Sequence, residues 1–91
     1  MEAQVDRLAE ILERAHEVHA VVSEKTGGVD PDWALFYAWW LLTWSDFPEV
    51  LGRTPSIAAL TAELIRLDEA YQAGSGNVKW SEAYAERLFG A

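Results

Sequence analysis

The sequence predicts an all-α fold of four main helices, arranged as two αα-hairpins, with a short connecting helix near residues 47–51. Two observations predict this fold. Apolar residues recur at helical spacing through most of the chain, and glycine or proline falls between these segments, where such residues end and begin helices. With 91 residues and a mass of 10.2 kDa, the chain is expected to form a single helical domain over residues 1–91.

The first predicted helix runs from Glu2 to about Lys25. Its apolar residues recur at alternating spacings of four and three, and charged residues lie away from them. This apolar side consists of Val5, Leu8, Leu12, Ala15, His19 and Val22. Gly27 and Gly28 end the helix, because glycine readily adopts the left-handed conformation that closes a helix.

The second predicted helix runs from Pro31 to about Trp44, with Asp30 as its N-cap. Residues 33–44 read WALFYAWWLLTW, with four Trp and no charged side chain. This segment is too short to cross a membrane, which takes about 20 apolar residues. A helix without a polar face is expected to be buried on all sides, and so short a chain offers little to cover it. We therefore expect self-association.

The second half of the chain begins with a short helix and a long one. Pro48 begins the short helix and Gly52 ends it. Thr54 is the predicted N-cap of the third main helix, with Pro55 in its first turn, and this helix continues to Ala73.

The last predicted helix runs from Val78 to about Phe89 and follows a flexible Gly-Ser-Gly linker at residues 74–76. Asn77 is its predicted N-cap. Together with the third main helix it forms the second hairpin, as the first two helices form the first.

Two segments that lie 47 residues apart share the pattern of a glycine, a cap residue and then W-x-x-x-Y-A-x-x-L. The matching pairs are Gly27 and Gly74, Asp30 and Asn77, Trp33 and Trp80, Tyr37 and Tyr84, Ala38 and Ala85, and Leu41 and Leu88. Trp and Tyr four residues apart share one helix face, and the alanine leaves room for a neighbouring helix. Duplication and convergence on one packing problem both explain this repeat.

On these residues the chain resembles a group of short uncharacterised bacterial helical proteins that carry a W-x-x-x-Y-A-x-x-L motif after an acidic or glycine-rich loop. The resemblance covers residues 27–42 and 78–88. The first copy departs from the pattern, since Trp39 and Trp40 stand where the second copy has Glu86 and Arg87. The resemblance implies a bacterial protein with a stand-alone fold, and it brings no known activity or catalytic residue.

Charge and cysteine content argue against several classes of protein. Fifteen acidic and seven basic residues give a net charge of −8, which would repel nucleic acids and anionic membrane surfaces. An acidic surface could still serve an antitoxin, an inhibitor or a DNA mimic that binds a basic partner. The chain has no cysteine, and its N-terminal segment is acidic and amphipathic, unlike a signal peptide. A cytoplasmic location is therefore expected.

The leading functional hypothesis is a non-enzymatic interaction or scaffolding domain that forms a homodimer or binds another protein. Trp and Tyr side chains combine a large apolar area with a polar tip, which suits them to interfaces. The candidate interface residues are Trp33, Phe36, Tyr37, Trp39, Trp40, Trp44, Trp80 and Tyr84. The sequence has no nucleophile motif or phosphate-binding loop, so neither a cofactor nor a catalytic residue is predicted.

The alternative hypothesis is a small-molecule or metal-binding helical protein, or an enzyme, with a cleft walled by aromatic rings. Glu13 and His16 have the E-x-x-H spacing of carboxylate-bridged metal sites, and His19 follows one turn later. His19 lies on the apolar side of its helix, where a packed histidine with a hydrogen-bond partner and no ligand is the simpler interpretation. The candidate partners of His19 are Asp68, Tyr71, Tyr37 and a tryptophan carbonyl.

Overall fold

The computed structural model describes residues 3–25, 32–74 and 78–90, and these residues form five α-helices and no strand. The helices are α1 (Ala3–Lys25), α2 (Trp33–Trp44), α3 (Phe47–Leu51), α4 (Ile57–Ala73) and α5 (Trp80–Gly90). The predicted all-α class and the short connecting helix are confirmed.

Glycine and serine set the boundaries around α3 and α4. Gly52 has a φ of 87°, in the left-handed region, and its N–H donates to the Pro48 carbonyl oxygen at 2.9 Å, which closes α3. The Ser56 hydroxyl accepts the Ala59 N–H at 3.1 Å and caps α4. The predicted N-cap, Thr54, is wrong, because Ser56 has both the extended backbone and the hydroxyl position that capping requires.

Two helices begin later than the sequence predicts. Residues 27, 28, 30, 31 and 75–77, predicted as a helix end, caps, a first helical residue or a linker, lie outside the described part of the chain. The N-cap of α2 is Asp32, whose side chain makes no capping hydrogen bond, and α2 begins at Trp33. Helix α5 begins at Trp80, two residues after its predicted start.

The four long helices form a closed ring in the order α1, α2, α4, α5 and back to α1. Helices α1 and α2 form one hairpin, α4 and α5 form the other, and α3 lies against α1 and α2. The hairpins meet through α1 on α5 and α2 on α4, so the first helix of each hairpin packs on the second helix of the other. The Cα radius of gyration is 12.7 Å, close to the ~13 Å typical of a domain of about 100 residues.

The centre of this ring is filled mainly by leucine side chains. The largest fully buried side chains are those of Phe47, Leu8, Leu12, Leu41, Leu60, Leu64 and Ser81. The predicted apolar side of α1 is buried at Ala15, whereas His19 is half-buried and Val22 is 42% exposed. Helix α1 has 23 residues and α2 has 12, which correspond to lengths of about 34 and 18 Å. Helix α1 is therefore about twice as long as α2.

None of the helices described in the structure combines the length and the apolar character needed to cross a membrane.

Candidate functional site

Helix α2 has a buried side and an exposed side, although its sequence is apolar all round. Its buried residues are Ala34, Tyr37, Ala38 and Leu41. Leu35, Trp39 and Trp44 are 48%, 43% and 65% exposed. The expectation that this helix is buried on all sides is therefore wrong for a single chain, because α1, α3 and α4 cover only part of its circumference.

The exposed aromatic rings of α2 form one continuous surface. The ring centroids of Phe36 and Trp39 are 5.9 Å apart, and those of Trp39 and Trp44 are 6.3 Å apart. The outer face of α2 is defined here as Leu35, Phe36, Trp39, Trp40 and Trp44, of which Phe36 and Trp40 are half-buried. This face contains four of the eight predicted interface residues and adds Leu35, which the sequence did not single out.

Charged residues beside the outer face of α2 are paired with each other. The Arg7 guanidinium donates to both carboxylate oxygens of Asp46 at 3.1 Å and lies 3.7 Å from Glu10. Arg14 lies 3.9 Å from Glu17. A groove of about 470 Å³ runs between these pairs and the Trp40 and Trp44 side chains. The rim of the face therefore carries both signs of charge.

A second candidate site is a cleft of about 300 Å³ to which every long helix contributes. Its aromatic walls are Trp33, Tyr37, Tyr71, Trp80 and Tyr84. Its polar lining residues are His16, Asp68 and Gln72. We call this feature the aromatic cleft.

Both copies of the W-x-x-x-Y motif contribute to the aromatic cleft. The Trp33 and Tyr37 rings lie 5.6 Å apart at an angle of 88°, and the Trp80 and Tyr84 rings lie 5.3 Å apart at 80°. The sequence repeat therefore corresponds to a spatial one, in which each hairpin supplies one perpendicular Trp–Tyr pair. The predicted interface residues thus separate into two groups, since these four line the cleft and the others belong to the outer face of α2.

Each of these tyrosines bonds to a titratable side chain on the preceding helix of its own hairpin. The Tyr37 hydroxyl lies 2.9 Å from Nδ1 of His16 on α1, and the Tyr84 hydroxyl donates to Oδ1 of Asp68 on α4 at 3.1 Å. The sequence singled out His19 as the histidine that would meet such a partner. The histidine that bonds to the Tyr37 hydroxyl is His16. The His19 ring lies against the rings of Phe36 and Tyr37, at 5.1 and 5.4 Å.

The environment raises the pKa of both phenols above its ordinary value of 10.0. Burial raises the pKa of Tyr37 to about 12. Burial also raises the pKa of Tyr84, and the negative charge of Asp68 raises it further. Tyr84 is consequently the donor, and the Asp68 carboxylate the acceptor, in the bond that joins α5 to α4.

Glu13, the predicted metal-binding carboxylate, joins α1 to the beginning of α5. Its Oε2 accepts the Ser81 hydroxyl at 2.7 Å and pairs with the Lys79 Nζ at 3.0 Å. These hydrogen bonds lower the pKa of Glu13. His16 and His19 both pack against aromatic rings. In the part of the chain that the structure describes, no three His, Asp or Glu side chains are grouped so that they could hold a metal ion.

No protein-family model, curated protein or solved structure matches this chain. The resemblance to short bacterial helical proteins therefore stays a prediction.

Proposed function

We propose that this protein is a non-enzymatic, cytoplasmic interaction domain that forms a homodimer through the outer face of α2. One observation carries the proposal. Leu35 and Trp39 are exposed on α2, and the residues at the same positions of the motif on α5 are Glu82 and Glu86, which are exposed as well. At the position of Trp39 and Glu86, which is exposed to solvent in both copies, α2 therefore carries an indole where α5 carries a carboxylate. The absence of cysteine is compatible with the cytoplasmic location.

Covering the apolar area of this face would favour a dimer. Trp39 is 43% exposed, and a tryptophan that becomes fully covered buries about 150–250 Å². At about 25 cal/mol per Å², covering the exposed part of this one side chain contributes roughly 2–3 kcal/mol per copy. Trp44, which is 65% exposed, and Leu35 add to this contribution.

A second copy of the chain fits this face better than a basic partner does. The nearby charges form the Arg7–Asp46, Arg7–Glu10 and Arg14–Glu17 pairs, so two arginines face three carboxylates and the described rim offers a cationic protein an excess of only one negative charge. Trp40 and the 65% exposed Trp44 both line the groove, so the surface combines an exposed ring with a recess. A two-fold interface requires such self-complementarity.

Sedimentation equilibrium of the full chain from about 1 to 100 μM tests the proposal. We expect the unaltered protein to approach twice the monomer mass as its concentration rises. Trp39→Glu gives α2 the side chain that α5 has at this position and should leave a folded monomer across the same range.

Ile65→Glu is the matched control, because Ile65 on α4 is 43% exposed, like Trp39. It introduces the same charge on another surface and should leave the dimer intact. A monomeric unaltered protein, or a Trp39→Glu variant that still dimerises, would contradict the proposal. Equal loss of the dimer in both variants would also contradict it, because net charge would then be the cause.

A further inference from the structure

The aromatic cleft has no lining residue in common with the outer face of α2, and the proposed dimer leaves its chemistry unexplained. Five rings surround a space of about 300 Å³, and one carboxylate, that of Asp68, lines it. We propose that the aromatic cleft binds a small organic cation with a methylated ammonium group. Both the rings and the Asp68 carboxylate would contact this group.

The angles between the rings support a compact ligand rather than a flat one. The Trp33–Tyr37, Trp80–Tyr84 and Tyr71–Tyr84 pairs meet at 88°, 80° and 78°. Rings that meet near right angles form adjacent walls, whereas a flat aromatic ligand needs two parallel rings on either side of it. A rounded ammonium group can contact several such walls at once, and the negative face of each ring attracts its positive charge.

The charges around the cleft select a cation over an anion. Asp68 is the only acidic residue among the described lining residues, and neither Lys nor Arg is among them. The chain as a whole carries a net charge of −8, which raises the local concentration of cations. An anionic ligand would meet the Asp68 carboxylate and the negative faces of the rings.

Hydrogen-bonding capacity favours a methylated ammonium over a primary one. A primary ammonium group has three N–H donors that need acceptors. Tyr84 already donates to Oδ1 of Asp68, and the Tyr37 hydroxyl is bonded to His16, so the polar atoms of the cleft are partly engaged. A quaternary ammonium group requires no acceptor and gains chiefly from the ring faces and the nearby negative charge.

Isothermal titration of the full chain with choline, the quaternary probe, tests this proposal. The comparison ligand is the neutral isostere of choline in which carbon replaces the ammonium nitrogen, and sodium chloride at equal concentration is the blank. We expect saturable binding of choline with a millimolar or tighter Kd and at least tenfold weaker binding of the neutral isostere. Binding of both ligands with equal affinity, or a choline response no larger than that of the salt, would overturn the proposal.

Asp68→Asn removes the charge of the cleft while keeping its shape and an acceptor for Tyr84. It should weaken choline binding at least tenfold. Glu69→Gln removes the same charge from the adjacent, exposed position of α4 and should leave the affinity within about twofold. Equal affinities of the two variants would overturn the role of Asp68.

A pair of tryptophan variants tests the walls independently of the carboxylate. Trp33→Leu removes one wall of the cleft and should weaken binding, whereas Trp39→Leu alters only the outer face of α2 and should not. The monomeric Trp39→Glu protein should bind choline as the unaltered protein does. This result would show that choline binding does not depend on dimerisation. Loss of binding in Trp39→Leu with retention of binding in Trp33→Leu would overturn the assignment of the site.

Discussion

Helices α2 and α5 carry the two copies of the W-x-x-x-Y-A-x-x-L motif. The two copies have similar residues at their buried positions and different residues at their exposed positions. The motif positions buried in both copies are Ala34 and Ser81, Tyr37 and Tyr84, Ala38 and Ala85, and Leu41 and Leu88. At two exposed positions, α2 has Leu35 and Trp39 where α5 has glutamates. The motif residues therefore pack each helix into the ring of four helices. The exposed residues differ, so that α2 has an apolar outer surface and α5 an acidic one.

Replacing the last leucine of either motif copy is expected to have the largest effect on stability. Leu41 is 0% exposed and Leu88 is 2% exposed, so Leu41→Ala and Leu88→Ala should each lower the free energy of unfolding by about 2–5 kcal/mol. Urea denaturation of both variants, made in the monomeric Trp39→Glu background, measures the two values. A difference of more than about 2 kcal/mol between them would show that the two motif copies are not equivalent in packing.

Alkaline titration compares the two motif tyrosines. Burial raises the pKa of Tyr37 from 10.0 to about 12, so the folded chain keeps its phenolic proton at a pH where the unfolded chain loses it. Its stabilising contribution is complete below pH 10 and is lost as the pH rises towards 12, by up to about 1.4 kcal/mol per pH unit. The pKa of Tyr84 is also raised, and Asp68 adds to this effect.

Unfolding free energies measured across this pH range, together with tyrosinate absorbance, check that expectation. Tyr84→Phe should reduce the loss of stability at alkaline pH more than Tyr37→Phe does, because only Tyr84 has a carboxylate as its hydrogen-bond partner. An equally steep loss in the Tyr84→Phe variant would mean that another group causes it.

The two hydroxyl groups should also differ at neutral pH, with smaller effects. Tyr84 donates to a carboxylate, so Tyr84→Phe should cost roughly 2 kcal/mol of unfolding free energy. Tyr37 bonds to an imidazole, and Tyr37→Phe should cost roughly 1 kcal/mol. Tyr71→Phe is the control, because this exposed bond to the Val78 carbonyl oxygen joins two neutral groups. Chemical denaturation gives all three values, and the reverse order would contradict the role assigned to Asp68.

Helix existence and most helix ends could be predicted from sequence because their causes are local. The bounds of α3 and the end of α4 were predicted correctly from proline and glycine positions, and α1 from its apolar spacing. The N-caps were less predictable. Thr54 and Ser56 both carry a hydroxyl, and the choice between them depends on the path of the chain as it enters α4.

The candidate sites were only partly predictable. The sequence identified the aromatic residues and a cleft that combines a histidine, a carboxylate and rings, but it named Glu13 rather than Asp68 as the carboxylate. The sequence indicates Asp68 only as a possible partner of His19. The E-x-x-H spacing gave no information about Ser81 and Lys79, which reach Glu13 from the other hairpin.

The sequence by itself determined that the chain forms two helical hairpins and that one helix has more apolar surface than a single chain covers. Proline, glycine and residue spacing act over a few neighbouring positions, so these features can be read locally. Only the tertiary structure decided which side of α2 faces solvent, because an uncharged helix has no polar face to mark its orientation. It also decided that Trp33, Tyr37, Trp80 and Tyr84 share one cleft, since that meeting depends on α1 packing against α5 and α2 against α4.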